Sequence, residues 1–173
     1  MAASITLTGR ERTFPESEII VSKTDVAGRI TYVNDVFQEV SGYGEAEVMG
    51  QPHSIIRHPD MPRCVFKLLW DVIQAGNEIF AYVNNRAKNG DHYWVLAHVT
   101  PSYDPGHQLI GYHSSRRSPR REAVARIQPI YDLLLQEERK LGNSDQGMAL
   151  SLGVMRDYLR QAGIGYEEFV LGL

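Results

Sequence analysis

The sequence predicts an α+β domain built on one antiparallel sheet, and three observations predict it. Two β-branched runs come first, several short helix-forming pieces follow, and three further strand-like runs close the pattern as a meander. Asn89-Gly90 stands between two of those later runs, and both residue types tolerate the positive φ that a tight hairpin turn demands. Beyond Ser118-Pro119 the pattern changes to longer helical periodicity, which sets off a C-terminal extension. The expected architecture is a five-stranded antiparallel sheet with short helices on one face. Residues 1–18 are an N-terminal extension, 19–117 the core domain and 118–173 a helical extension, a division that suits a chain of 173 residues.

Each element has its own signal. Ile19 to Thr24 is β-branched, Asp25 to Arg29 is a tight connection, and Ile30 to Val33 is the second strand of a hairpin. Asn34-Asp35 offers cap chemistry to a short helix carrying Val36, Phe37 and Val40, which stops at Gly42. Glu45 to Met49 is another helical turn. Asp60 is read as the cap of a better helix and Pro62 as part of its first turn; Val65, Phe66, Leu69, Trp70, Val72 and Ile73 give it one apolar face before Gly76. Strands are expected at Ile79 to Asn85, Asp91 to Thr100 and Leu109 to Ser115. Glu122 to Leu141 is helix-forming, with Pro129 expected to kink or split it. After a break at Gly142 to Asp145, residues 148–169 hold one or two helices interrupted near Gly163-Ile164-Gly165.

Composition excludes several classes. Hydrophobic residues make up 43% of the chain, enough for a core. A net charge of −3 lacks the basic footprint of a nucleic-acid binder. The single cysteine, Cys64, allows neither an intrachain disulfide nor a cysteine zinc cage. Neither an apolar leader nor an apolar run long enough to span a bilayer is present, so a soluble, cytoplasmic protein without membrane insertion is expected. Catalytic strings such as G-x-S-x-G or a phosphate-cradling glycine loop are lacking, and no enzyme is expected.

The segment from Gln51 to Pro62 carries Arg57 and His58, a guanidinium beside an imidazole, which suits an anionic group; the alternative is a structural pairing of Arg57 with Asp60. Phe66, Trp70, Tyr82, Trp94 and Tyr112 supply aromatic walls for a flat ligand or, equally, plain core. His53, His58, His92 and His98 invite a haem or metal reading, but no paired i, i+4 histidines support it.

Longer strings carry a family resemblance. VNDVFQEVSGY, GQPHSIIRHPDMP, the helix ending in LLWDVI, and NRAKNGDHYWV resemble the PAS module of bacterial aerotaxis receptors of the Aer type, over residues 18–135. The resemblance implies a PAS fold with non-covalently held FAD between sheet and helices, acting as a redox sensor in energy taxis. Matched motif by motif, it implies FAD contacts at Asn34, Arg57, His58, Asp60, Phe66 and Trp70, to which the aromatic reading adds Tyr82 and Trp94. It also implies a membrane-anchored chemoreceptor-type signalling partner, as for the stand-alone CetB-like modules, with the helices after Pro119 contacting that partner or a second copy in a homodimer. The chain departs from the family's W-S-G strand entry, with Ile79 at the Trp position and Ala81 at the Gly position, followed by Tyr82. Bulk there points to a second reading, a cofactor-free or haem-binding PAS interaction module with a filled pocket.

Overall fold

A computed structural model describes residues 5–142 and 144–173. Strands β1 (Ile20–Thr24), β2 (Ile30–Val33), β3 (Ile79–Arg86), β4 (His92–Tyr103) and β5 (Leu109–Arg117) form one antiparallel sheet in the order β2-β1-β5-β4-β3. Helices α1 (Asp35–Ser41), α2 (Glu45–Val48), a 3-10 turn at His53–Ile56 and α3 (Arg63–Gln74) lie between β2 and β3. Helices α4 (Arg121–Lys140), α5 (Asp145–Ala162) and α6 (Tyr166–Leu171) follow the sheet. The two-strand, short-helix, three-strand order expected from the sequence is the order found.

Register assigns each side chain to a face. Ser22 pairs with Ser114, Val99 with Ser114, Ala97 with Arg116, and Ala81 with Ala97, so these residues share one face with Val83, Asn85 and Tyr112. That inner face turns toward α3. The opposite face of β3 and β4 carries Phe80, Tyr82, Trp94, Leu96 and His98, and the C-terminal helices cover part of it. Tyr131 of α4 stacks on Trp94 with ring centroids 6.2 Å apart, and its hydroxyl donates to the Tyr82 carbonyl at 2.7 Å. That carbonyl lies on the free edge of the sheet, where an unpaired backbone group is otherwise left to another strand or to water. The Asn84 N–H on the same edge meets the Met61 sulfur at 3.3 Å. The extension is thus folded onto the core, and buried Leu134, Leu152, Met155, Leu159 and Val170 belong to the same apolar cluster as Phe37 and Val65. The apolar face of α4 that carries Val124, Ile127, Tyr131, Leu134 and Leu135 is buried within the chain.

The described part of the N-terminal extension is docked as well; residues 1–4 and Asn143 lie outside the described residues. Arg12 bonds the Asp91 carboxylate at 3.0 Å and the Val40 carbonyl at 3.0 Å, and Thr8 donates to Asp91 at 2.6 Å.

Three local expectations are corrected. Only Gly90 of the Asn89-Gly90 pair takes a positive φ, because the turn is longer than two residues: the Ala87 N–H bonds the Asp91 carbonyl and the Gly90 N–H bonds the Ala87 carbonyl. Gly90 is also needed for space, since a Cβ there would stand 1.9 Å from the Thr6 carbonyl oxygen. Pro129 does not split α4. It lies on the exposed side, as does Ala125, whose carbonyl loses its helical partner to the proline and can be hydrated. Asp60 does not cap α3. Pro62 is the N-cap, and the Glu138 carboxylate of α4 accepts from the N–H groups of Arg63 and Cys64 at 3.0 and 2.9 Å.

The edge bond from Tyr131 yields a direct test. Tyr131→Phe leaves the buried Tyr82 carbonyl unpaired and is expected to cost about 1–2 kcal/mol, seen as a lower urea midpoint at unchanged slope.

Candidate functional site

A cavity of about 300 Å³ lies between the inner face of the sheet and α3. Its apolar wall is α3. Phe66, Leu69, Trp70 and Ile73 fall at helical spacing on the face turned to the sheet, opposite Val83, Ala97 and Val99. Trp70 stands edge-on to Tyr112 with centroids 5.4 Å apart and closes against Gly28. Gly28 has φ +78°, and a Cβ there would lie 2.9 Å from the Trp70 ring, so the β1–β2 turn needs glycine for this ring to seat.

The polar wall is built mainly by β1, β5 and the 3-10 turn. Ser22, Ser114 and Arg116 reach it from the sheet, His53 and Arg57 from the Gln51–Pro62 segment, and Asn85 from β3. Arg116 is only 3% exposed. One guanidinium nitrogen, Nη2, donates to Ser22 Oγ at 2.7 Å and to His53 Nε2 at 2.6 Å. Arginine can only donate, so His53 Nε2 is the unprotonated ring nitrogen. Burial, and then the Arg116 charge, hold the His53 pKa down at about 3. The ring retains partial exposure only because it faces the cavity. Burial also pulls Arg116 down to about 10, with the Tyr93 phenol as the one opposing influence. Among the described residues, Arg116 Nη1 and Asn85 Nδ2 are buried and find no acceptor. One side of the cavity therefore holds a cation without a carboxylate partner and two donors without acceptors, facing aromatic and aliphatic side chains.

The residues anticipated from sequence divide between this cavity and other places. Arg57, Phe66 and Trp70 line it, with Arg57 stacked over the Phe66 ring at 4.4 Å. Arg57 bonds the Met61 carbonyl (3.4 Å) and not Asp60; Asp60 is exposed and pairs with Arg139 at 3.2 Å. His58 is buried away from the cavity. Its Nδ1 accepts from the Asp60 N–H and its ring meets His92 edge-on, so Arg57 and His58 are not brought together on one anion. Asn34 caps α1 and ties β1: its oxygen accepts from Phe37 and Val21, and its amide donates to the Ile19 carbonyl. Tyr82 and Trp94 belong to the outer face under α4, so the bulk of Tyr82 does not enter the cavity. Ala81 lies on the inner face and is fully buried. Of the four histidines considered for haem, only His53 lines the cavity, and its Nε2 is taken by Arg116. Among the described residues no cluster of three or more metal-ligating side chains exists.

Arg116, Asn85, Ser22 and Ser114 were not singled out from sequence. The available signal was parity. Tyr112, Ser114 and Arg116 alternate along one strand, but ending that strand at Ser115 leaves Arg116 outside the sheet.

The five-stranded antiparallel sheet, the short helices and the donor-walled cavity define an α+β domain with a pocket of small-molecule size. Residues 30–116 match the PAS fold family, and the chain belongs to that family. The chain is 43% identical over 115 residues to the aerotaxis receptor of Escherichia coli strain K12, an alignment covering 66% of this chain and 22% of the receptor. It is 26% identical over 102 residues to the nitrogen fixation regulatory protein of Klebsiella pneumoniae, covering 59% of this chain and 21% of that protein. The chain thus spans about a fifth of the length of these relatives. In fold it is similar to a light-oxygen-voltage domain solved in work on a flavin analogue, with a TM-score of 0.56, 16% identity, and coverage of 70% of this chain and 87% of that one. No helix among the described residues is long and apolar enough to cross a membrane.

The His53 environment predicts a pH dependence. Its folded pKa of about 3 lies below the ordinary 6.5, so the unfolded chain binds a proton that the fold refuses. The associated stability is complete above the unfolded value and is lost as pH falls from 6.5 toward 3. Urea titrations at about pH 7 and about pH 4.5 should show a loss on the order of 2 kcal/mol. His53→Gln should remove most of that difference; an equal loss in the variant would refute the assignment.

Proposed function

We propose that this PAS domain is a redox sensor that binds FAD non-covalently and passes its state to a chemotaxis-type signalling partner, itself membrane-anchored. The observation that carries the reading is the pair of buried donors without acceptors in the cavity wall, Arg116 Nη1 and the Asn85 amide nitrogen, in a cavity whose other wall is Phe66, Leu69 and Trp70. A buried guanidinium without an anion is costly unless a ligand supplies acceptors. The pyrimidine edge of an isoalloxazine ring does so, with carbonyl and imine groups, while the rest of the ring is flat and apolar enough for the aromatic wall. A volume of about 300 Å³ lies at the low end for small-molecule sites and suits the ring system alone. The similarity to an aerotaxis receptor supports the same choice.

When bound, a flavin supplies reversible electron transfer that adds negative charge to its ring. The residues here would respond to that charge. Arg116 and Asn85 would donate to the acceptor edge, and Ser22 and His53 would hold the guanidinium in place. Phe66, Trp70 and Val83 would keep water from the ring faces. A change of charge beside Arg116 biases the domain between states only so far as those states differ in affinity for the two redox forms.

The absorption spectrum of protein purified without added cofactor, before and after denaturation, tests this reading. Flavin bands released on unfolding are expected. Arg116→Ala and Asn85→Ala should each weaken FAD binding on the order of tenfold, whereas Asp60→Asn, outside the cavity, should not. A bare spectrum and no uptake of added FAD by the wild type would overturn the proposal.

A further inference from the structure

Glu138 is 1% exposed, yet it lies in the helical extension and makes no ion pair among the described residues. Its carboxylate joins three helices. Oε2 accepts from the Arg63 N–H at 3.0 Å, and Oε1 accepts from the Cys64 N–H and the Ser151 hydroxyl, each at 2.9 Å. Arg63 and Cys64 are the first two residues of α3, whose later residues Phe66, Leu69, Trp70 and Ile73 line the cavity. Arg63 also bonds Asp145, the first residue of α5, at 2.9 Å. The start of α3 is thus clamped by α4 and α5, and the rest of this helix, about 18 Å long, is the apolar wall of the site. A second link runs through Arg57, a cavity residue near enough to Glu138 to feel its charge.

We propose that Glu138 is a positioning residue that couples the α4–α5 pair to the cavity through α3, so that what fills the cavity and how firmly the extension is held are mutually dependent. A close-packed helix moves largely as a unit. A ligand wedged between α3 and the sheet therefore changes the register of the α3 amides against the carboxylate. Coupling of this kind is reciprocal: a cavity ligand that tightens the extension is itself bound more tightly when the extension is held. The proposal rests on the flavin reading only for its probe.

The test is hydrogen exchange on the full chain, wild type and Glu138→Gln, with and without FAD, together with FAD titrations. FAD is expected to slow exchange across residues 121–162 of the wild type, a measurement that needs no variant. Glu138→Gln should weaken FAD binding about fivefold or more and speed exchange at residues 66–73 as well as in the extension. Ser151→Ala, which leaves both α3 bonds intact, should bind FAD nearly as the wild type does. Unchanged FAD affinity in Glu138→Gln, even with faster exchange in α3 and in residues 121–162, would make Glu138 a structural cap of α3 and overturn the coupling. If the wild type takes up no FAD, the flavin reading fails alone. Exchange across residues 121–162 in Trp70→Ala, which alters the α3 wall of the cavity without touching Glu138, then decides, with faster exchange there supporting the coupling and wild-type rates overturning it.

Discussion

Strand β3 has protein on both faces and along its free edge. Its inner residues Ala81, Val83 and Asn85 face the cavity side, Tyr82 packs under the C-terminal helices, and its edge groups are met by Tyr131 and Met61. An exposed edge strand is normally blunted by charge, proline or a bulge. Here the chain's own extension does that work, so the edge can be apolar. The consequence for the site is geometric. The sheet is held from behind by α4 and α6 and from in front by α3, which keeps the distance between the cavity walls fixed by packing on both sides.

Two buried charged groups, Glu138 and Arg116, form no ion pair among the described residues, and magnitudes separate them. Withdrawing an ion from water costs several kcal/mol, whereas each hydrogen bond to a charged group returns about 1.5–3 kcal/mol. Glu138 accepts three bonds from protein donors, so its balance is close to neutral. Arg116 makes two through one nitrogen and leaves the other without an acceptor. The first charge is settled as architecture. The second is the kind of deficit that a bound acceptor repairs, which is why the proposed ligand contact is put at Arg116 and not at Glu138.

Alternation, turn residues and caps made the chain order of the strands and most helix positions legible in the sequence, because those signals are local. Asn34 illustrates both the success and its limit. Its cap role could be read from the residues that follow it, but its side chain is spent on backbone groups of α1 and the start of the sheet and does not line the cavity. Trp94 and Tyr82 were read as cavity aromatics because a strand buried on both faces offers no polar side from which to choose the inward parity. Arg116 was hidden for a related reason. An arginine at a strand end reads as solvated until the register against Ile20 and Ala97 turns it inward toward Ser22. Glu138 sits on a helix among charged neighbours, and its burial follows only from the placement of α3 against α4.

The part of the chain that the family match covers and the part that anchors the sheet edge are different. The family match runs over residues 30–116 and contains nearly all of the cavity wall. Tyr131, Glu138 and Ser151 lie beyond that match. Their role follows from contacts alone: a hydroxyl on a sheet edge, a carboxylate on two helix amides, and a shared apolar cluster with Phe37 and Val65. An extension held by apolar burial as well as by these bonds is not a loosely tethered arm, since dissociating it would expose Leu134, Leu152, Met155 and Leu159 together. Any signal it carries must therefore travel as a small repacking of docked helices, and α3, which touches both the cavity and the extension, is the element placed to carry it.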